Sequence, residues 1–261
     1  MSPQIMGVVN VTPDSFSDGG LFLEPEAAIA HGEQLVRHGA EILDVGGEST
    51  RPGAEPVEVG EELERTQPVV ADLEAMGYTV SIDTSKAAVA AAAIDAGAEI
   101  VNDVTALRDP EMAAVCAERG ATVVLMHMPG DPRTMQDEPR YGDVVEDVKA
   151  FLVARIAAAV AAGVAEERIW LDPGIGFGKT LEHNLELLRR LGELRELGRP
   201  LVVGTSRKSF IGKVDGSPVE ERTGGTIASS VLALAAGADV LRVHDVAEMA
   251  QALRVAEAVL G

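Results

Sequence analysis

Along the chain, roughly every 20 to 40 residues, a short run rich in Val and Ile gives way to a longer stretch of Ala, Leu and Glu at helical spacing. A strand followed by a helix, repeated, buries its faces when the strands run parallel and the helices cover them, because each crossover returns the chain to the same end of the sheet. The pattern predicts strands at residues 5–11, 41–45, 79–83, 100–103, 122–127, 169–172, 201–205 and 240–244. It predicts helices at 26–38, 61–76, 86–96, 110–119, 144–162, 182–191, 225–236 and 246–259. Gly39, Gly97, Gly120, Gly163 and Gly237 follow five of these helices, where a glycine closes the last turn before a strand. Eight such units in 261 residues fit an α/β chain folded as one (β/α)8 TIM barrel over residues 1–261; a doubly wound open sheet uses fewer strands.

Charge narrows the partners. A formal net charge of −20 gives no basic footprint for nucleic acid or an anionic membrane, so an anionic ligand needs a local cluster of cations. The single cysteine, Cys116, lies in an Ala-rich helical stretch, which excludes a disulfide framework and predicts a small buried side chain. Residues 5–9 form an apolar run with no basic segment before it, and a cytoplasmic location is expected.

A barrel of this kind places its chemistry at the C-terminal ends of its strands. Those ends are polar in succession: Asn10, Asp44 with the loop from Gly46 to Gly53, Asp83, Asn102 and Asp103, His127, Asp172, the Ser206, Arg207 and Lys208 run, and Arg242 with His244. Any one strand-end Asp could merely cap the following helix. Together, Asp83, Asn102, Asp172 and Lys208 offer two carboxylates, an amide and an ammonium, a set suited to a flat heterocycle with both donors and acceptors on its edge. Arg242 and His244 stand two residues apart on one strand, so they share a face. With Asn10 from the adjoining first strand they make a small anion cradle, and Asn10 suits a Mg²⁺ ion shared with phosphate oxygens.

Two Gly- and Pro-rich loops, residues 12–20 and 46–60, are longer than most strand-to-helix connections and read as lids. Arg51 is placed to counter the charge of a leaving group. Residues 174–180 (GIGFGKT) resemble a phosphate-binding loop, but the first required glycine falls on Pro173, so that reading is rejected. Phe177 is read as an apolar wall, Lys179 as solvated, and His31, His38 and His183 as helix residues without ligand spacing.

Residues 6–19 (MGVVNVTPDSFSDG) closely resemble the opening signature of the dihydropteroate synthases, and residues 44–53 (DVGGESTRPG) resemble the second. Further matches follow in family order at 81–84 (SIDT), 101–103 (VND), 171–177 (LDPGIGF), 206–210 (SRKSF) and 242–245 (RVHD). The resemblance implies condensation of 6-hydroxymethyl-7,8-dihydropterin pyrophosphate with p-aminobenzoate, through loss of pyrophosphate to a pterin cation and attack by the arylamine. It implies pterin contacts at Asp83, Asn102, Met126, Asp172, Lys208 and Arg242. Pyrophosphate contacts are implied at Asn10, Arg242 and His244, with Mg²⁺ at Asn10. Thr50, Arg51, Pro52, Phe177, Lys208 and Ser209 are implied to meet p-aminobenzoate, as the residues that sulfonamides would compete for. Asp83, Asp172, Lys208, Arg242, Asp14 and Arg51 form the implied catalytic set, with Asp14 ordering the first loop over the metal. A homodimer through the last two helices is implied as well. Residues 213–222 carry no family signature.

Two rivals use the same heterocycle set. A methyltetrahydrofolate:corrinoid methyltransferase binds no pyrophosphate and would leave Arg51, the 206–208 run, Arg242 and His244 idle. A non-catalytic pterin-binding paralogue is disfavoured because the loop residues are all present.

Overall fold

The strands are apolar on both faces where they begin and turn polar on the inner face where they end, and this sets both the core and the mouth of the barrel. The computed structural model describes residues 3–12, 25–50, 53–131 and 133–260. The parallel strands are β1 (Gln4–Asn10), β2 (Ile42–Gly46), β3 (Thr79–Asp83), β4 (Ile100–Asp103), β5 (Thr122–Met126), β6 (Ile169–Asp172), β7 (Val202–Val203) and β8 (Val240–Val243). They lie in the order β6-β5-β4-β3-β2-β1-β8-β7, and a parallel bridge between Leu171 and Leu201 closes the ring. Around it run α1 (Pro25–His38), α2 (Val59–Ala75), α3 (Ala87–Asp95), α4 (Met112–Arg119), α5 (Val144–Ala161), α6 (Leu181–Arg189), α7 (Ser209–Asp215), α8 (Thr223–Ala235) and α9 (Val246–Leu260).

Period-2 alternation sorts every strand into two layers. Outward residues such as Leu43, Val45, Val80, Ile82, Val101 and Leu241 join the large core under the helices. Inward residues Met6, Ile42, Ile100, Val124, Val202 and Val240 form a separate apolar ring with Trp170, which plugs the barrel. One layer further along the strands the inner face becomes Asp44, Ser81, Asp83, Asn102 and Asp172, all buried. The parallel register aligns them: Asp44 pairs with Ser81, Gly46 with Asp83, and Asp83 with Asn102.

The expected eight-fold rhythm is present. The five glycines read as helix ends have φ between +65° and +112°. Cys116 is buried in α4. β7 is shorter than the expected 201–205, because the chain turns inward after Gly204, with the Lys208 N–H donating to the Thr205 carbonyl. The addition is α7, whose seven residues are too few to show a helical period. It covers the start of the 213–222 segment that had no reading. Among the described residues no helix is long and apolar enough to cross a membrane.

The apolar ring gives a test that separates stability from chemistry. Ile42→Ala removes most of a side chain 2% exposed at the barrel centre, and should cost about 2–5 kcal/mol by urea unfolding. Activity at 25 °C should stay near the unaltered value, since the polar layer rides on the backbone; loss of activity in a protein still folded would show that ring and mouth are not separable.

Candidate active site

The polar layer is organised around one guanidinium. Arg242 leaves β8 and reaches across β1, its Nε donating to Asp44 Oδ2 at 2.6 Å and its Nη2 to Asp83 Oδ2 at 2.7 Å. Asp44 Oδ2 also accepts the Asn102 amide at 3.0 Å, so residues of β2, β3, β4 and β8 meet in one network. Burial alone would lower the pKa of Arg242, and the charges of Asp44 and Asp83 more than reverse this, so the group stays a cation. Burial pushes the Asp83 carboxyl up to about 7 against the pull of Arg242, with Asp44 and Glu62 adding to the rise. Three buried oxygens of this layer, Asp44 Oδ1, Ser81 Oγ and Asp83 Oδ1, have no hydrogen-bond partner. Native interiors rarely leave such atoms unpaired, and their presence marks a surface built to receive something polar.

Asp172, at the end of β6, accepts the Gly174 N–H at 2.6 Å. Its pKa is raised by burial, which that hydrogen bond and the charges of Lys208, Arg242 and Lys179 oppose. Lys208 follows β7 and places Nζ 3.8 Å from the centroid of the Phe177 ring, a cation–π contact. Removal from water and the charge of Arg242 lower Lys208 to about 7, while Asp172 and Asp83 pull the other way. Gly176 makes this approach possible: a Cβ there would lie 2.9 Å from Lys208 Cδ. Behind Phe177, Met126 packs with Val104, Met128 and Met135 as an apolar wall apart from the main core.

His244 stands beside this group. Its backbone N–H donates to Ser206 Oγ, and the same hydroxyl lies 2.9 Å from its Nδ1. In the tautomer whose Nδ1 accepts from Ser206 Oγ, the neutral ring keeps Nε2–H as its remaining donor. Burial, Arg242 and Arg207 hold that ring neutral by lowering its pKa to about 3.

The structure therefore brings Asp83, Asn102, Met126, Asp172, Phe177, Lys208, Arg242 and His244 to one mouth. Asn10 ends β1 next to β8, half-buried, and Ser209 opens α7, exposed. Thr50 is half-buried in the loop after β2. Asp14, Arg51 and Pro52 lie outside the described residues, as does the first lid from residue 13 onward. Arg242 departs from the expected anion cradle in one respect, since two of its three nitrogens are committed to carboxylates.

Lys179 corrects the sequence reading. It is 2% exposed, not solvated. Its Nζ lies 3.0 Å from His127 Nδ1 and donates to the Phe177 carbonyl at 2.9 Å, tying the loop after β6 to the end of β5. Burial first, then Lys179 and Arg108, lower His127 to about 3, so its ring is neutral and free to accept. The loop is fitted closely enough that a Cβ on Gly174 (φ +68°) would sit 1.9 Å from the His127 carbonyl. The glycines of 174–178 thus serve a close backbone approach and not a nucleotide. Two other contributors were read only as polar strand ends, with no role in the site assigned to them. Asp44 shares the inward parity of Ile42 and Gly46, a signal that was available; for Ser206 as the partner of His244 there was none.

Known proteins with this arrangement agree. Residues 6–244 match the family model described as pterin binding enzyme. The dihydropteroate synthase of Synechocystis sp. is 50% identical over 257 residues, covering 97% of this chain and 89% of that protein. The structure of Yersinia pestis dihydropteroate synthase with a sulfonamide drug complex superposes with a TM-score of 0.95 at 45% identity, covering 99% of this chain and 94% of the other. That of Xanthomonas albilineans dihydropteroate synthase with 4-aminobenzoic acid gives 0.94 at 50% identity, covering 99% and 93%.

Lys179 supplies a pH test. In the unfolded chain it titrates near its ordinary 10.5, and burial lowers it to about 7 in the folded one. Between those values the unfolded state binds more protons, so the contribution of this group to stability rises with pH. The unaltered protein should gain stability relative to Lys179→Met as urea unfolding is repeated from about pH 7 to about pH 10; a difference that stays flat or narrows would contradict the assignment.

Proposed function

The chain belongs to the pterin-binding enzymes and, among them, to the dihydropteroate synthases, and on that premise we propose how its barrel mouth condenses 6-hydroxymethyl-7,8-dihydropterin pyrophosphate with p-aminobenzoate. The observation that carries the reading is the single layer holding Asp44, Asp83, Asn102, Asp172 and Arg242, with Lys208 above it over Phe177. A pterin ring offers N–H donors along its pyrimidinone edge and acceptors at its oxygen and ring nitrogens. Asp83 and Asp172 accept the donors, while Asn102 and Lys208 serve the acceptors. The unpaired Asp83 Oδ1 is one such acceptor in waiting.

The diphosphate end meets His244 Nε2–H, the remaining nitrogen of Arg242 and Asn10. A mouth with so few ligands suits a sparsely held ion. Asn10, half-buried where β1 ends, offers a neutral amide oxygen, a donor that would suit a Mg²⁺ whose other ligands are phosphate oxygens and water. Mg²⁺, when bound, supplies neutralisation of the leaving diphosphate.

The C–O bond from the exocyclic methylene to diphosphate breaks with its electron pair going to the diphosphate, and the pterin is left as a delocalised cation. Asp83 and Asp172, fixed in the barrel wall, face that charge without having to move. The arylamine nitrogen then forms the C–N bond and gives up its proton. An arylamine is nucleophilic as it stands, so no activated Ser or Cys is required. Phe177 and the stem of Lys208 offer its ring an apolar face. The carboxylate end lies towards Ser209, with Thr50 and, by the family resemblance, Arg51 and Pro52 as its further contacts, and sulfonamides act on this chain by taking the same place.

A cytoplasmic homodimer completes the reading. Burial pushes the thiol of Cys116 up to about 12, which suits a chain without disulfides. An apolar groove runs between α6, α7 and α8, lined by Leu185, Leu188, Phe210, Ile211, Val214 and Leu232. Leu232 is 67% exposed and Val214 63%, a patch suited to a second copy. This keeps α8, one of the two expected helices, in the contact and adds α6 and α7 beside it.

Three measurements test this reading. Purified protein should release 7,8-dihydropteroate, read by mass spectrometry, with both substrates and Mg²⁺ present and not after EDTA treatment. Arg242→Ala should lower kcat/KM by about 10²- to 10³-fold while the circular dichroism stays that of the folded chain; unaltered turnover would remove Arg242 from the chemistry. In sedimentation velocity the protein should run as a dimer, and Leu232→Glu as a monomer. A monomeric parent protein, or a variant that remains dimeric, would exclude this face.

A further inference from the structure

The loop from β2 to α2 carries Thr50, and with it the expected p-aminobenzoate contacts, and its base is held by charges that have no part in the chemistry above. Helix α2 buries a polar face where an apolar one would be ordinary: Glu62, Arg65 and Thr66 are all buried. Arg65 Nη1 donates to the Gly47 carbonyl at 2.7 Å. Thr66 stands so close behind Gly47 that a Cβ there would lie 2.7 Å from Thr66 Cγ2. One step on, the Glu48 carboxylate accepts the Val57 N–H at 3.0 Å and closes the loop on itself. The same oxygen receives the ammonium of Lys86, which also binds Glu62. Glu62 is fully buried, and its other oxygen accepts Thr84 Oγ1 at 2.6 Å, on the residue that follows Asp83.

Lys86 is thus a cation shared by Glu48 and Glu62, the second of them out of contact with water. Such a cluster contributes little to net stability, because desolvation offsets the attraction, but it penalises any arrangement that separates the partners. Without the ammonium, Glu48 would face the uncompensated charge of Glu62, and the attachment of Glu48 and Val57 to the barrel would be lost. Asp83, Asn102 and Asp172 would keep their places, since their own strands hold them.

We propose that Lys86 is a positioning residue for the second substrate: by clamping Glu48 to Glu62 it holds residues 48–50 at the height where Thr50 meets p-aminobenzoate, with Val57 tied to the same carboxylate. This rests on the reading of the mouth given above. The test is steady-state kinetics on Lys86→Met and Lys86→Arg, with hydrogen–deuterium exchange on the same proteins in the absence of substrates. Lys86→Met should raise KM for p-aminobenzoate tenfold or more and leave kcat and KM for the pterin pyrophosphate within about twofold, and Lys86→Arg should recover most of the loss. Exchange at residues 47–57 should quicken in Lys86→Met and not at 209–216. Equal changes in both KM values, a fall in kcat alone, or unaltered exchange at 47–57 would overturn the proposal. Should Lys86→Met fail to fold, Glu48→Gln breaks the same clamp from its half-buried side and is judged by the same outcomes. A parent protein that makes no dihydropteroate would refute the functional reading, and the exchange measurement would still decide the clamp.

Discussion

A guanidinium held between two carboxylates inside a barrel is the constraint on which the site depends. Arg242 spans from β8 to Asp44 on β2 and Asp83 on β3. Removing three such charges from water costs several kcal/mol each before their attraction is counted, so the arrangement is a poor way to stabilise a fold. It is a good way to fix positions. The guanidinium has five donors in a rigid plane, and satisfying two of them at Asp44 and Asp83 leaves little freedom in where Asp83 and Asn102 can stand. The apolar ring of Met6, Ile42 and their neighbours closes the barrel below, so the network is reachable from one side only.

Above that layer the labour is divided by stiffness. Apart from Lys208, which lies in the turn after β7, residues that meet the heterocycle stand on strands, where register fixes height and parity fixes direction. Residues for the second ring stand on connections, and each connection is pinned by interior polar contacts: Lys179 under Phe177, Ser206 beside His244, Lys86 under Glu48. A strand end needs no such support, whereas a loop built from Gly and Pro has no other source of precision.

How far the sequence could be read follows from the same distinction. The barrel was legible because each unit repeats one pattern, and the heterocycle set was legible because a polar residue ending an apolar strand is conspicuous. Asp44 was noted as a polar strand end but left out of the heterocycle set, although its parity with Ile42 places it inside. The tertiary partners of Lys179, His127 and Ser206 left no trace, since they are 52 and 38 residues apart in the chain. A lysine beside glycines looks solvated until a neighbouring strand is seen to supply its acceptors. Helix α7 was missed for want of length, and the buried polar face of α2 had no reading, since the helical period of 61–76 does not say which polar residues face inward.

The claim that Asp44 and Asp83 act through one shared guanidinium is tested most directly by a double-mutant cycle. Affinity for the pterin pyrophosphate is measured calorimetrically for the parent chain, Asp44→Asn, Asp83→Asn and the double variant. Groups that share a partner show coupling of about 0.5–3 kcal/mol, and that is the result predicted here. Losses that simply add would mean that Arg242 does not join the two carboxylates, and the account of the site would fail at its base.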